Sequence, residues 1–96
     1  MTIINPGKKF VNDPAELALG ALQWILGDAS RAQRFLDLTG LTPDGLRQAL
    51  GGPATASTTL GAVLEFLCAH EPDLIAASES LDVAPAELAG AREALA

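Results

Sequence analysis

Ala18-Leu19-Gly20-Ala21-Leu22-Gln23-Trp24-Ile25-Leu26-Gly27 decides the fold. The stretch holds the only tryptophan and, wound as a helix, is apolar on nearly every face. Such a helix needs other helices around it. Leu17, Ala21 and Ile25 make one stripe, and Leu19, Leu22 and Leu26 make a second beside it. Glu16 and Gln23 are the main polar interruptions.

The composition around this stretch agrees with it. Hydrophobic residues are 49% of the 96, much of that alanine, while aromatic residues are 4%. Alanine has the best helix propensity and fits strands poorly, so the class is all-α. A chain of this length makes one domain. Its formal charge is −6, from 12 acidic and 6 basic residues. That field repels phosphate, which disfavours nucleic acid and anionic membranes; a solvated acidic surface is the plain reading, and docking to a basic protein is the sharper one. Cys68 stands alone, so there is no intrachain disulfide, and a reducing compartment is expected. Met1 to Phe10 holds no apolar run fit for a leader, and no segment reaches membrane-spanning length. The expected location is the cytoplasm.

Punctuation divides the chain into about six short helices. Residues 1–12 carry Asn5-Pro6-Gly7 and neighbouring Lys8 and Lys9 without a helical period, and are expected as a partly disordered arm. A single helical domain is expected over 13–96. Asp13-Pro14-Ala15-Glu16 opens helix one with a cap, a proline at the first position and a capping-box acid. Gly27 ends it. Asp28 then caps a second helix, Ala29 to Thr39, closed by Gly40. In that helix Ala32, Phe35, Leu36 and Thr39 are expected inside, with Arg31, Arg34 and Asp37 in water and Arg34 within reach of Asp37. Thr42-Pro43-Asp44 starts a third helix, which turns Leu46, Ala49 and Leu50 inward and stops at Gly51-Gly52. Pro53 to Ser57 reads as a loop.

The fourth helix is expected from Thr58 or Thr59 to about Ala69, burying Leu60, Val63, Leu64, Leu67 and Cys68. Pro72 starts a fifth, with Leu74, Ile75, Ser78 and Leu81 inward. Ala84-Pro85-Ala86-Glu87 opens a sixth that carries Leu88, Ala91 and Leu95. The core is therefore expected around Leu22, Trp24, Ile25, Phe35, Leu36, Leu46, Leu64, Leu67 and Leu88.

A repeat underlies this order. Leu22-Gln23-Trp24-Ile25 lies over Leu64-Glu65-Phe66-Leu67 at a spacing of 42. At the same spacing Leu41-Thr42-Pro43 lies over Val83-Ala84-Pro85, and Leu46 over Leu88. The second helices agree less well, since Leu38 over Leu81 needs 43, and Leu19-Gly20-Ala21 over Leu60-Gly61-Ala62 needs 41. The pattern predicts a compact bundle of two duplicated three-helix units, 13–52 and 58–96, related by a pseudo-two-fold axis. Helices one and four are expected to meet there, with Gly20 and Gly61 permitting close backbone approach. Trp24 and Phe66 then share one core, and Trp24→Ala is expected to cost about 3–5 kcal/mol.

The richest chemical cluster is Cys68, His70, Glu71 and Asp73, which gathers the only thiol and the only histidine. Zinc needs three or four converging ligands, and no second ligand pair exists. Cys68 and His70, two apart on a helix, point away from each other and make no nucleophile couple. Cys68 is expected in the core, His70 near the end of helix four where positive charge is favoured, and the acids at the start of helix five. Gly51-Gly52-Pro53 lacks the lysine of a phosphate loop and is a turn. No catalytic residue, metal ligand or cofactor site is expected, and no enzyme.

Leu38-Thr39-Gly40-Leu41-Thr42-Pro43 has the look of a helix-turn-helix turn, echoed at Leu81 to Pro85. DNA binding would need Lys8, Lys9, Arg31, Arg34 and Arg47 to converge on one face, against the net charge.

Ala21 to Asp28, Arg34-Phe35-Leu36, Gly40-Leu41-Thr42-Pro43 and Phe66 to Leu74 resemble a small bacterial domain-of-unknown-function family, the one numbered 3572. The similarity covers residues 13 to 95. It implies a short, chiefly alphaproteobacterial cytoplasmic protein of one domain and brings no activity with it. The expected role is a protein-interaction or adaptor module, using an acidic helical surface or an apolar groove. A second copy of the chain is one candidate partner. Leu38 and Phe66, off the main stripes of their helices, are expected to be exposed at such a surface.

Overall fold

The computed structural model describes residues 13–95, so the arm expected over 1–12 lies outside the described residues. Those residues form six α-helices: α1 Pro14–Leu26, α2 Ala29–Thr39, α3 Pro43–Gly51, α4 Pro53–Cys68, α5 Glu71–Leu81 and α6 Pro85–Leu95. Capping side chains fix the first three starts. Asp13 accepts from the Ala15 N–H at 3.3 Å, Asp28 from Arg31 at 2.9 Å and Thr42 from Gly45 at 2.9 Å. Two helices end on left-handed residues: Gly40 (φ 75°) after α2 and Asp82 (φ 60°) after α5. Aspartate is among the few side chains that tolerate this region, and the Val83 N–H donates back to the Ser78 carbonyl at 2.9 Å to complete the stop.

Four of the six pairs of helix boundaries keep a spacing of 42, while the starts of α1 and α4 stand 39 apart and the ends of α3 and α6 stand 44 apart. α1 and α4 end at Leu26 and Cys68, α2 and α5 cover 29–39 and 71–81, and α3 and α6 start at Pro43 and Pro85. Gly40 and Asp82, the left-handed caps, stand 42 apart as well. The second helices, which side-chain matching sets at 43, therefore fall into register in the backbone. α1 packs on α4, α6 packs on α1, and α3 packs on α4. Each third helix thus packs on the other half's first. α6 also lies along α4, an interface that α3 does not reproduce on α1.

Leu17, Ala18, Ala21, Leu22 and Ile25 of α1 are buried with Leu60, Val63, Leu64, Phe66 and Leu67 of α4. Phe35, Leu46, Ala77, Leu88 and Ala91 close the core from the other helices.

Several expectations change here. Pro53 to Ser57 is not a loop but the first turn and more of α4, with Gly52 as its extended N-cap. Proline at the first position, the start signal of α1 and α3, acts here too, and the Thr55 hydroxyl donates to the Ala49 carbonyl at 2.6 Å to fasten the turn. α5 begins at Glu71, one residue before Pro72. α1 is not enclosed on all sides, because Leu19 and Leu26 are 43% and 46% exposed. Ile75 on α5 is exposed too.

Trp24 and Leu36 only lean on the core. Trp24 is half-buried because Arg31 covers its outer face, the guanidinium carbon 3.7 Å from the ring centroid. Nη2 of that arginine also donates to the Trp24 carbonyl, satisfying the C-terminus of α1. Leu36 stays half-buried because α2 packs only at the rim of the bundle, against α1 and α4.

Gly20 and Gly61 do not face each other. A Cβ on Gly20 would meet Leu81 Cδ2 of α5 at 2.9 Å, and one on Gly61 would meet the Leu95 carbonyl oxygen of α6 at 3.7 Å. Contact at 3.7 Å is ordinary packing. Gly61→Ala is therefore expected to raise stability by about 0.5–1 kcal/mol through helix propensity. Gly20→Ala gains less, since the end of Leu81 must turn aside. Thermal melts of the two variants check this order; a lower midpoint for Gly61→Ala than for wild type would mean that α6 sits closer than described.

Candidate functional site

Phe35 of α2 and Phe66 of α4 meet edge to face, their centroids 5.3 Å apart at 90°. Beyond this contact a groove of about 900 Å³ opens between α2, α4 and α6. Its floor is α4, from Thr58 through Gly61, Ala62 and Phe66 to Ala69, with Glu65 at its edge. α2 supplies Arg34, Leu38 and Thr39; α6 supplies Arg92 and Leu95; His70 closes one end. Leu38 is 71% exposed, the most exposed large apolar side chain among the described residues. Phe66 is buried, contrary to expectation, because Phe35 covers its edge and the Arg34 guanidinium stands 5.2 Å from its centroid.

The positions 42 residues away are packed differently. Ala62 on its floor corresponds to Gly20 on α1, and Thr39 on its wall corresponds to Leu81 on α5. Leu81 lies directly on Gly20. What remains there is a cleft of about 160 Å³ lined by Glu16, Leu17, Leu81 and Val83. Thr39 and Ala62, 42 residues from Leu81 and Gly20, both line the open groove. The Thr39 hydroxyl is turned back onto the Phe35 carbonyl of its own helix at 2.9 Å.

The charges of the groove are held in place. Arg34 pairs with Asp73 of α5, not with Asp37, which instead accepts from Gln33 at 2.8 Å. Arg92 reaches Glu65 at 3.4 Å, and its Nε is buried with no hydrogen-bond partner among the described residues. Arg31 is engaged with Trp24, and Arg47 pairs with Asp44 at 2.7 Å. The arginines on which helix-turn-helix binding would depend thus serve separate local contacts.

The Cys68, His70, Glu71 and Asp73 cluster does not come together. Cys68 is the half-buried last residue of α4; His70 is exposed and forms the N-cap of α5 through its backbone; Glu71 is exposed. Asp73 turns to Arg34. Among the described residues, no group of three or more His, Cys, Asp or Glu side chains is placed to hold a metal ion. Burial pushes the Cys68 thiol above its ordinary pKa; Arg92 opposes the shift and Glu65 adds to it. The thiolate is correspondingly scarce at neutral pH. No described helix is long and apolar enough to cross a membrane.

A six-helix bundle with an open groove between α2, α4 and α6 defines a small all-helical domain. The family model described as "Protein of unknown function (DUF3572)" matches residues 11–96, and the chain belongs to that family. No curated protein and no solved structure matches the chain.

Sequence reading named His70 and Leu38, and both line the groove. It missed Arg34, Arg92, Ala62 and Leu95 as neighbours across three helices. Sequence matching sets Leu38 over Leu81; only the helix ends, 42 residues apart, pair Thr39 with Leu81.

Proposed function

We propose that this protein is a non-catalytic interaction module, and that the groove between α2, α4 and α6 receives an apolar segment of a protein partner. One observation carries the reading. Where Leu81 covers Gly20, the positions 42 residues away, Thr39 and Ala62, line an open surface beside the exposed Leu38. Exposed apolar surface that is continuous with a concavity marks binding surface rather than scattered exposure. The spacing of 42 is read as a duplication in which one copy of the cleft closed and the other stayed open for a partner. The lone Cys68 supports a reducing compartment, the cytoplasm.

A photo-crosslinking residue at position 38, in cells that make the protein, tests this. A discrete adduct to one protein is expected from position 38, and none from the exposed Glu79 on α5. Position 38 giving no adduct, or the same adducts as position 79, would overturn the reading. Illuminated adducts of twice the chain's own mass would identify a second copy as the occupant.

A further inference from the structure

We infer that α2 is a movable wall of the groove, a cover that leaves the bundle as one unit while the other five helices stay packed. α2 is the helix least committed to the core. Of its residues only Phe35 is buried. It packs on α1, its neighbour in the chain, and its interface with α4 is narrow. α5, 42 residues on, packs on α1, α4 and α6 and buries both Ala77 and Ser78. α3 also buries a single side chain, Leu46, but it packs broadly on α4, whose Thr55 hydroxyl holds the Ala49 carbonyl.

What else holds α2 is polar. The exposed Arg34 pairs with Asp73 of α5 and stands 5.2 Å from the Phe66 centroid. Ion pairs at the surface contribute little to holding an element in place. Arg31 lies across Trp24, but it belongs to the first turn and holds only the start of the helix. The bonds from Gln33 to Asp37 and from Thr39 to the Phe35 carbonyl are internal and tie α2 to no other helix.

Short joints flank the helix: Gly27-Asp28, with Asp28 extended, and Gly40-Leu41-Thr42, with Gly40 left-handed. Residues at the ends of elements are the ones that absorb hinge rotations. Elements with few buried apolar contacts open well below the free energy of global unfolding. Release of α2 uncovers Phe66, 7% exposed in the closed bundle, and takes Arg34, Leu38 and Thr39 away from the groove. Phe66 lines the groove already, so the seat of Phe35 and the groove become one apolar surface along α4. An unpartnered helix of 11 residues is marginal in water, so its amides exchange once it is released.

Native-state hydrogen exchange of the full chain, followed by NMR at rising sub-denaturing urea, tests this. The amides bonded within α2, from Ala32 to Thr39, are expected to exchange as one group. Relative to their intrinsic rates they should exchange about tenfold or more faster than Ile25, Leu64, Leu67 and Ser78, with a weaker dependence on urea. Asp73→Asn frees Arg34 from outside the helix and should speed the α2 group about threefold. Ala77 and Ser78 should keep their rates in that variant, which separates loosening of α2 from loosening of α5. Rates and urea slopes in α2 equal to those of Ile25 and Leu64 would mean that α2 leaves only on global unfolding, and would overturn the movable wall. Ala77 and Ser78 joining the fast group would overturn it as well, since the moving unit would not be α2. So would protection that declines gradually from Ala32 to Thr39, which is end fraying. None of these outcomes depends on a partner, so the reading tested at position 38 stands or falls separately.

Discussion

Phe35→Ala is expected to lose about 3–5 kcal/mol of folding stability, the cost of emptying a fully enclosed aromatic site. Phe35 is 0% exposed and is the only buried residue that α2 contributes. Its ring sits edge to face on Phe66, a geometry that adds to plain area burial. Removing it takes away the contact that ties α2 to α4 and the wall that keeps Phe66 dry. A domain of this length has a total stability of only about 5–14 kcal/mol, so a large share is at stake. Urea unfolding followed by circular dichroism should show a much lower midpoint with helical signal retained in water. Phe35→Leu keeps most of the volume and should lose about 1–1.5 kcal/mol. Trp24→Ala, whose ring only leans on the core and is covered on its outer face by Arg31, should lose less, about 1–2 kcal/mol. A midpoint for Phe35→Ala above that of Trp24→Ala would show that α2 does not close the core.

That reversal of rank between Phe35 and Trp24 marks where the sequence stops being legible. Helix starts are local chemistry, and Asp13, Asp28, Thr42 and the prolines announced them correctly because capping depends on neighbours a turn away. Pro53 announced a start too, but the Ala-Thr-Ser run after it looked like a loop until the Thr55 hydroxyl found the Ala49 carbonyl. The core was legible as a set of apolar faces, and Leu22, Ile25, Leu46, Leu64, Leu67 and Leu88 are all buried. Depth was not legible. Arg31, read as a solvent-facing residue, lies across Trp24, and long side chains of this kind cover apolar surface without any periodic signal.

The groove is a still longer-range object. Its walls are 27 residues or more apart in the pair Arg92 and Glu65, and 39 in Arg34 and Asp73. No spacing rule joins them. Side-chain matching sets Leu38 over Leu81, and only the backbone, which ends α2 at Thr39 and α5 at Leu81, brings the threonine and the leucine into comparison.

Ala21→Leu is the second large effect. Ala18 and Ala21 of α1 are 0% exposed, as is Ala77 of α5, and Ala91 of α6 is 4% exposed. α1 packs on both α5 and α6, so these small side chains lie where three helices press together. Interhelical distance follows the side chains at the contact, and alanine permits the short end of the range. Leucine adds three heavy atoms to a site with no free volume around it, which forces rotamers off their minima or pushes the helices apart. A cost of about 3 kcal/mol is expected. Helix propensity cannot be responsible, because leucine is nearly as good a helix former as alanine. Ala54→Leu, an equal change on the exposed first turn of α4, should shift stability by no more than about 0.5 kcal/mol. Thermal melts of the pair separate the two effects: a drop of several degrees or more for position 21 and none for position 54. Equal midpoints would mean that α1 has room beside it, and that the alanine-rich composition reflects helix propensity alone rather than close approach of helices. With the expected result, the same alanines account both for the all-helical class and for a core built almost without aromatic rings.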